Sequence, residues 1–276
     1  LEAKNNWNKA SSRAMINDVT SAVAPINIKN LSKSINYNSL TKNQQRALDI
    51  IQLWDGSNTV DQIAPTIYNK LIYVYLKNTF EDEMGETIFS QILNTHLMKR
   101  VIADQLEKEN SIWWDNITTT DKTELKQEIL NQSFIESVTA LEEQLGTDIK
   151  TWNWGKVHTL EHQHPLGTVE ALKSYFNVGP FPIKGAREVI DNRGYLYDDS
   201  GEYKVTAGPS TRRIIDFSDI ENSISILPTG QSGNPFSKHY KDQVEMFNNG
   251  EFRKMKLNKN DIIKNSTKLI ILPKNE

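Results

Sequence analysis

The chain has 276 residues, 37% of them hydrophobic and 24% charged, with a net charge of −3. That is globular composition, enough for one large domain or two small ones. No basic stripe points to nucleic acid, no run approaches the roughly 20 apolar residues of a membrane-spanning helix, and the absence of cysteine removes disulfides, zinc–thiolate sites and a cysteine nucleophile.

The chain opens at Leu1 with neither an initiator Met nor a signal sequence, which reads as a processed chain or a piece cut from something longer. Ser12–Pro25 carries Ala14, Met15, Val19, Ala22 and Val23 at helical spacing, and Pro25 is expected to end that helix. Thr41 offers an N-cap for a helix over Asn43–Leu53, closed by Trp54-Asp-Gly56. Ala64-Pro65 suits the first turn of a helix over Thr66–Thr79, with Ile67, Leu71, Ile72, Tyr75 and Leu76 inward. Phe80-Glu-Asp-Glu-Met-Gly85 reads as an acidic break before another helix from about Thr87 to Lys108. Trp113 and Trp114 are expected to anchor a loop on the helical core. A last long helix over Lys122–Leu145 has Leu125, Ile129, Phe134, Val138 and Leu141 inward, and its Lys122, Glu124, Lys126 and Glu128 read as a solvated face.

Beyond Trp152 the character changes. Val169–Phe176 reads as a short helix, and Asn177–Gly185 as a turn-rich segment. Strand-like alternation follows at Arg187–Asp191, Tyr195–Val205, Gly208–Phe217, Asn222–Leu227, Phe252–Leu257 and Lys268–Leu272. Short helices are expected at Gln243–Phe247 and Lys259–Ile263. The polar end, Pro273–Glu276, reads as frayed. The organisation is therefore α+β: a helical block over residues 1–150 and a β-rich segment over 151–276.

Three groups of residues invite a chemical reading. His158, His162 and His164, with Glu161, lie within Trp152–Gly167, and histidines four apart on a helix can share a metal. But Thr159 stands where a zinc-protease motif needs Glu, and Pro165 breaks any long helix here, so packing at a seam is the better reading and no metal ligand is assigned. Gly230-Gln-Ser-Gly233 departs from the serine-hydrolase elbow at Asn234, and Ser237-Lys-His239-Tyr-Lys-Asp242 gathers groups able to move protons. Both also read as a hydrogen-bonded loop. Arg212, Arg213 and Asp216 lie in or beside one expected strand, where one of them would be a buried charge in need of a partner.

Five motifs in order carry a family resemblance: W-x-W-G-x-x-H at Trp152–His158, H-P-L-G at His164–Gly167, F-N-V-G-P at Phe176–Pro180, G-P-S-T-R at Gly208–Arg212, and G-Q-S-G-N-P-x-S-x-H-Y-x-D-Q at Gly230–Gln243. Together with Leu48–Gly56 and Ala64–Tyr68 they resemble the C-terminal part of the second chain of penicillin acylases, which are N-terminal-nucleophile hydrolases. The resemblance implies a contribution to that family's αββα sandwich, with the helical half first. It implies hydrolysis of the amide of an N-acylated small molecule, a β-lactam antibiotic or an N-acyl amine, through an acyl-enzyme formed on an N-terminal Ser. That Ser, the oxyanion-hole Asn and the calcium ligands of some members fall outside this chain, and Leu1-Glu-Ala-Lys4 resembles the segment just after the oxyanion region. This chain alone is accordingly expected to be inactive and to hold no cofactor, calcium being left to the parent protein.

In the cephalosporin and glutaryl acylase branch a carboxylate orients a histidine beside the nucleophile, and the matching position here is Asp216, the one site residue the resemblance assigns. It further implies a periplasmic or secreted parent. The implied partners are the first chain, the N-terminal part of the second chain and a small-molecule amide, with no nucleic acid or membrane; self-association of the fragment stays open. The alternative is a non-catalytic binding or interaction module that folds independently.

Overall fold

The computed structural model describes residues 6–273. Leu1–Lys4 and the tail from residue 274 lie outside the described residues. In chain order the helices are α1 (Lys9–Ile16), α2 (Ala24–Ser32), α3 (Lys42–Gln52), α4 (Ala64–Leu93), α5 (Leu97–Glu107), α6 (Lys126–Leu145), α7 (Trp154–Val157), α8 (Glu170–Phe176), α9 (Val244–Asn249) and α10 (Lys259–Lys264). The strands are β1 (Thr159–His162), β2 (Val178–Pro182), β3 (Arg212–Ile214), β4 (Ile224–Ile226) and β5 (Arg253–Lys254). Contacts gather these into two units. One is Asp18–Gly208; the other joins the segment before Asp18 to the segment from Pro209 onward. This grouping differs from a division at residue 150, because residues 151–208 pack with the helices.

The larger unit is built around α4. Every residue from Ala64 to Leu76 is buried. A helix buried on all sides belongs at the centre of a bundle, so the single inward stripe read from the sequence undercounts its burial, which takes in Thr66, Asn69 and Lys70 as well. Helix α4 packs along α6 and touches α3, α5 and α7. Pro65 occupies its first turn, as expected. The acidic stretch 80–84 stays helical, and the break falls at Gly85, whose φ of 72° and ψ of 154° kink the helix. A second interruption at residues 94–96 separates α4 from α5. Helix α3 starts as read: Thr41 accepts from the Gln44 amide while the Gln44 side chain accepts from Thr41 N–H, a reciprocal cap that contributes about 1 kcal/mol.

Pro25 begins α2 rather than ending a helix. Its missing N–H costs nothing at a first turn, where that donor has no partner anyway. Helix α6 starts at Lys126, leaving Leu125 65% exposed, outside the core face assigned to it. Glu124 is buried rather than solvated: its carboxylate accepts from Asn116 N–H and Thr119 Oγ1 and lies 3.3 Å from Lys122 Nζ. Trp114 is buried, with Nε1 donating to Lys108 O, so the loop anchor is as read. The segments Arg187–Asp191 and Tyr195–Val205 form no strand; each is flanked by a single bridge, Ala186 to Asn192 and Gly194 to Ala207. Their alternation instead turns Tyr195, Tyr197 and Tyr203 into the helical core. The sheet of this unit is the antiparallel pair β1–β2.

The smaller unit is an antiparallel sheet in the order β3-β4-β5 with α1, α9 and α10. Arg212 opposes Ile226, and Ile214 opposes Ile224. Ile226, Val244 and Phe247 are buried. Residues Lys268–Leu272 form no strand and are exposed. No helix among the described residues is long and apolar enough to cross a membrane.

Candidate functional site

Trp152–Gly167 is a packed seam. Trp152 and Trp154 are fully buried, with their indole N–H groups donating to Gly146 O and Gly185 O. The W-x-W-G segment is held by backbone bonds from Trp154 N and Gly155 N to Gln62 O and Val60 O. His158 stacks on Trp154 at 4.6 Å and meets the Tyr195 ring edge-on at 5.3 Å. Its Nδ1 lies 2.6 Å from Tyr203 O. A carbonyl can only accept, so Nδ1 carries the proton and Nε2 is the bare nitrogen, without a partner. Burial pushes His158 down to about 4, and the charge of Arg193 adds to that, against the Tyr203 bond.

The other two histidines are elsewhere. His162 is the last residue of β1. His164 stacks on Phe176, accepts at Nδ1 from Leu166 N–H, and donates its backbone N–H to Asn177 Oδ1. The last bond joins the H-P-L-G and F-N-V-G-P motifs. No group of three or more His, Cys, Asp or Glu among the described residues is disposed to hold a metal.

The loop from Gly230 to Asp242 is locked on itself. Gly230 N–H donates to Tyr240 O, and Ser232 N–H to His239 O. A Cβ on Gly230 would lie 1.8 Å from His239 O, so only glycine fits. Ser232 Oγ accepts from Asn234 N–H and Ser237 Oγ from His239 N–H. These are turn-forming bonds, and neither sets a serine against a base. His239 Nδ1 lies 2.8 Å from Asp242 Oδ2, an oriented imidazole whose side chain is 59% exposed. The structural reading of this motif is the one its geometry supports.

Of the basic and acidic residues at β3, Arg212 is the buried charge. Its guanidinium donates to Phe247 O at 3.0 Å and lies over the Phe247 ring at 4.4 Å. Arg213 is exposed. Asp216 lies past the end of the strand, where strand alternation no longer sets its direction. Its Oδ1 accepts from Ser218 N–H and Oγ, and these bonds hold the carboxyl below its ordinary value.

Three groups had no clear signal in the sequence. Asp191 and Arg193 flank the Asn192 turn, yet both are buried and their side chains lie 3.1 Å apart. The only hint was a charge on either side of a turn. Tyr195 and Tyr197 both donate to Asn69 Oδ1, joining positions 126 and 128 residues apart in sequence. Glu83 is raised to about 7 by burial and by its hydrogen bond to Asp82.

The family model described as penicillin amidase matches residues 1–264. The acyl-homoserine lactone acylase QuiP of Pseudomonas aeruginosa is 30% identical over 225 residues, which is 75% of this chain and 26% of that protein. The protein of the same name from Pseudomonas syringae pv. tomato is 28% identical over 222 residues, 78% of this chain and 26% of its own length. The chain thus spans about a quarter of the length of the curated relatives it matches. A thermostable penicillin G acylase from Alcaligenes faecalis shares the fold at a TM-score of 0.53 and 14% identity, covering 99% of this chain and 51% of that one. The α+β architecture is therefore that of a penicillin acylase, and the chain belongs to the penicillin amidase family.

Proposed function

We propose that this chain is the C-terminal part of an amidohydrolase that cleaves the amide of an N-acylated small molecule through an acyl-enzyme. The nucleophile, its base and the oxyanion donors come from residues outside the chain. The relatives' names favour an N-acyl-homoserine lactone over a β-lactam as substrate. The observation that carries this reading is the family match across residues 1–264 by a chain a quarter the length of its relatives. A supporting one is the short sheet β3-β4-β5. Beside it Phe217, three residues past the end of β3, is 89% exposed, as expected of apolar surface awaiting the remainder of the acylase.

The test compares the chain alone with the chain coexpressed with the preceding part of its parent, using hydrolysis of an N-acyl-homoserine lactone and a chromogenic phenylacetyl amide. Turnover is expected only in the second case. Turnover by the chain alone, abolished by Asp216→Asn or His239→Ala, would overturn the proposal. A second reading, an independently folding non-catalytic module, draws on one observation: every member of the hydrophobic core cluster lies within Asp18–Gly208. A cooperative, monomeric fold with no activity in either preparation would favour it.

A further inference from the structure

The kink at Gly85 and the break before α5 leave a cavity of about 180 Å³ between the second half of α4, helix α5 and Trp113. Leu76, Phe80, Phe89, Leu93 and Met98 are its buried wall. Leu97, Asp104 and Lys108 are its exposed rim. Cavities of about 150 Å³ with such walls take up benzene from water. One polar group interrupts the apolar lining. Gln105 is only 3% exposed; its Oε1 accepts from Ser111 Oγ, and its Nε2 has no partner. A buried amide donor left unpaired is unfavourable, and an acceptor placed against it relieves that cost. At the rim Lys108 Nζ and Asp104 Oδ2 are 2.5 Å apart and neutralise one another, so the entrance favours neither sign of charge.

We propose that this cavity binds a small neutral molecule, about the size of a substituted benzene, whose single carbonyl oxygen accepts from Gln105 Nε2. Size sets the hydrocarbon part, the unpaired donor calls for an acceptor, and the neutralised rim disfavours an ion. The site lies wholly within the larger unit and stands whether or not the catalytic reading holds.

The test uses the full chain labelled at its methionine methyls. Met84 and Met98 line the cavity, while Met15, Met246 and Met255 lie elsewhere in the sequence. Titration with acetophenone should shift the Met84 and Met98 resonances saturably and leave the other three in place. Gln105→Leu should weaken acetophenone about tenfold, the loss of one hydrogen bond. Binding of cumene, which has the same shape without the oxygen, should change by less than about twofold under the same reasoning. Val101→Phe, which fills the space, should abolish binding of both. Absence of saturable shifts at Met84 and Met98 in the wild-type chain overturns the site, and equal loss of acetophenone and cumene in Gln105→Leu overturns the role of the amide. Should Val101→Phe fail to fold, the wild-type and Gln105→Leu titrations decide both points.

Discussion

Acidification should destabilise this protein through His158. The imidazole is stacked on Trp154 and met edge-on by Tyr195, and its bare Nε2 has no acceptor to receive a proton's hydrogen bond. Its folded value of about 4 lies below the ordinary value near 6.5 that an unfolded chain would show. The unfolded state therefore binds the extra proton first. The stability contributed by keeping His158 neutral is complete above about pH 6.5 and is lost as pH falls from there toward 4. Between pH 7.5 and pH 5.0 the loss is about 2 kcal/mol, and it levels off near 3 kcal/mol below the folded value. Urea unfolding at the two pH values would measure it, in the wild-type chain and in His158→Asn. The Asn amide can reach Tyr203 O but cannot titrate, so the variant's fixed packing loss cancels in the comparison across pH. The variant's stability should fall by about 2 kcal/mol less than wild type over this interval. Equal pH dependence in the two proteins, or an imidazole titrating near 6.5 by NMR, would refute the argument.

Two further outcomes are expected. Gly56→Ala should cost at least about 3 kcal/mol by the same urea assay, since Gly56 has a φ of +91° and its Cβ would lie 2.2 Å from Ser21 O. Glu83→Gln should act with the opposite pH sense to His158. A carboxyl held at about 7 by burial and Asp82 keeps its proton in the folded state. The native state then loses stability as pH rises from the ordinary carboxylate range through 7, fully so above it. The variant's gain in Tm should be larger at pH 8 than at pH 5. Partial exposure limits it to about 1 kcal/mol or less, and a gain independent of pH would contradict the assignment.

The helices were largely legible in the sequence because their signals are local. Thr41, Pro65 and Gly146 mark ends that the structure keeps. Pro25 misled because proline both stops one helix and starts the next, and only the following residues decide which. The tyrosines of 195–203 alternate like a strand, but they alternate because their rings enter the helical core, while the backbone makes only isolated bonds, from Tyr203 N–H to Val157 O and from Val205 N–H to Thr159 O. The five family motifs were readable as words, and the structure gives them physical work: indole bonds, the His164–Asn177 link and the Gly230 close approach. The cavity beside Gln105 was not readable. It depends on where α4 bends, and Gly85 marks a bend without saying how far the flanking turns part.

The smaller unit is stitched from the two ends of the described chain. Lys9 Nζ donates to Asn222 O, and Arg13 Nε and Asn17 Nδ2 donate to Gly250 O. Helix α1 therefore leaves the ribosome long before its partners exist. With Arg13 and Gly250 237 residues apart, synthesis at 5–20 residues per second imposes a wait of between about 10 and 50 seconds. The larger unit, continuous from Asp18 to Gly208, emerges in between with its core in one piece. The order of assembly in the cell is thus built into the chain's connectivity: the helical unit can close first, while α1 remains a tether kept available for a sheet still to be made.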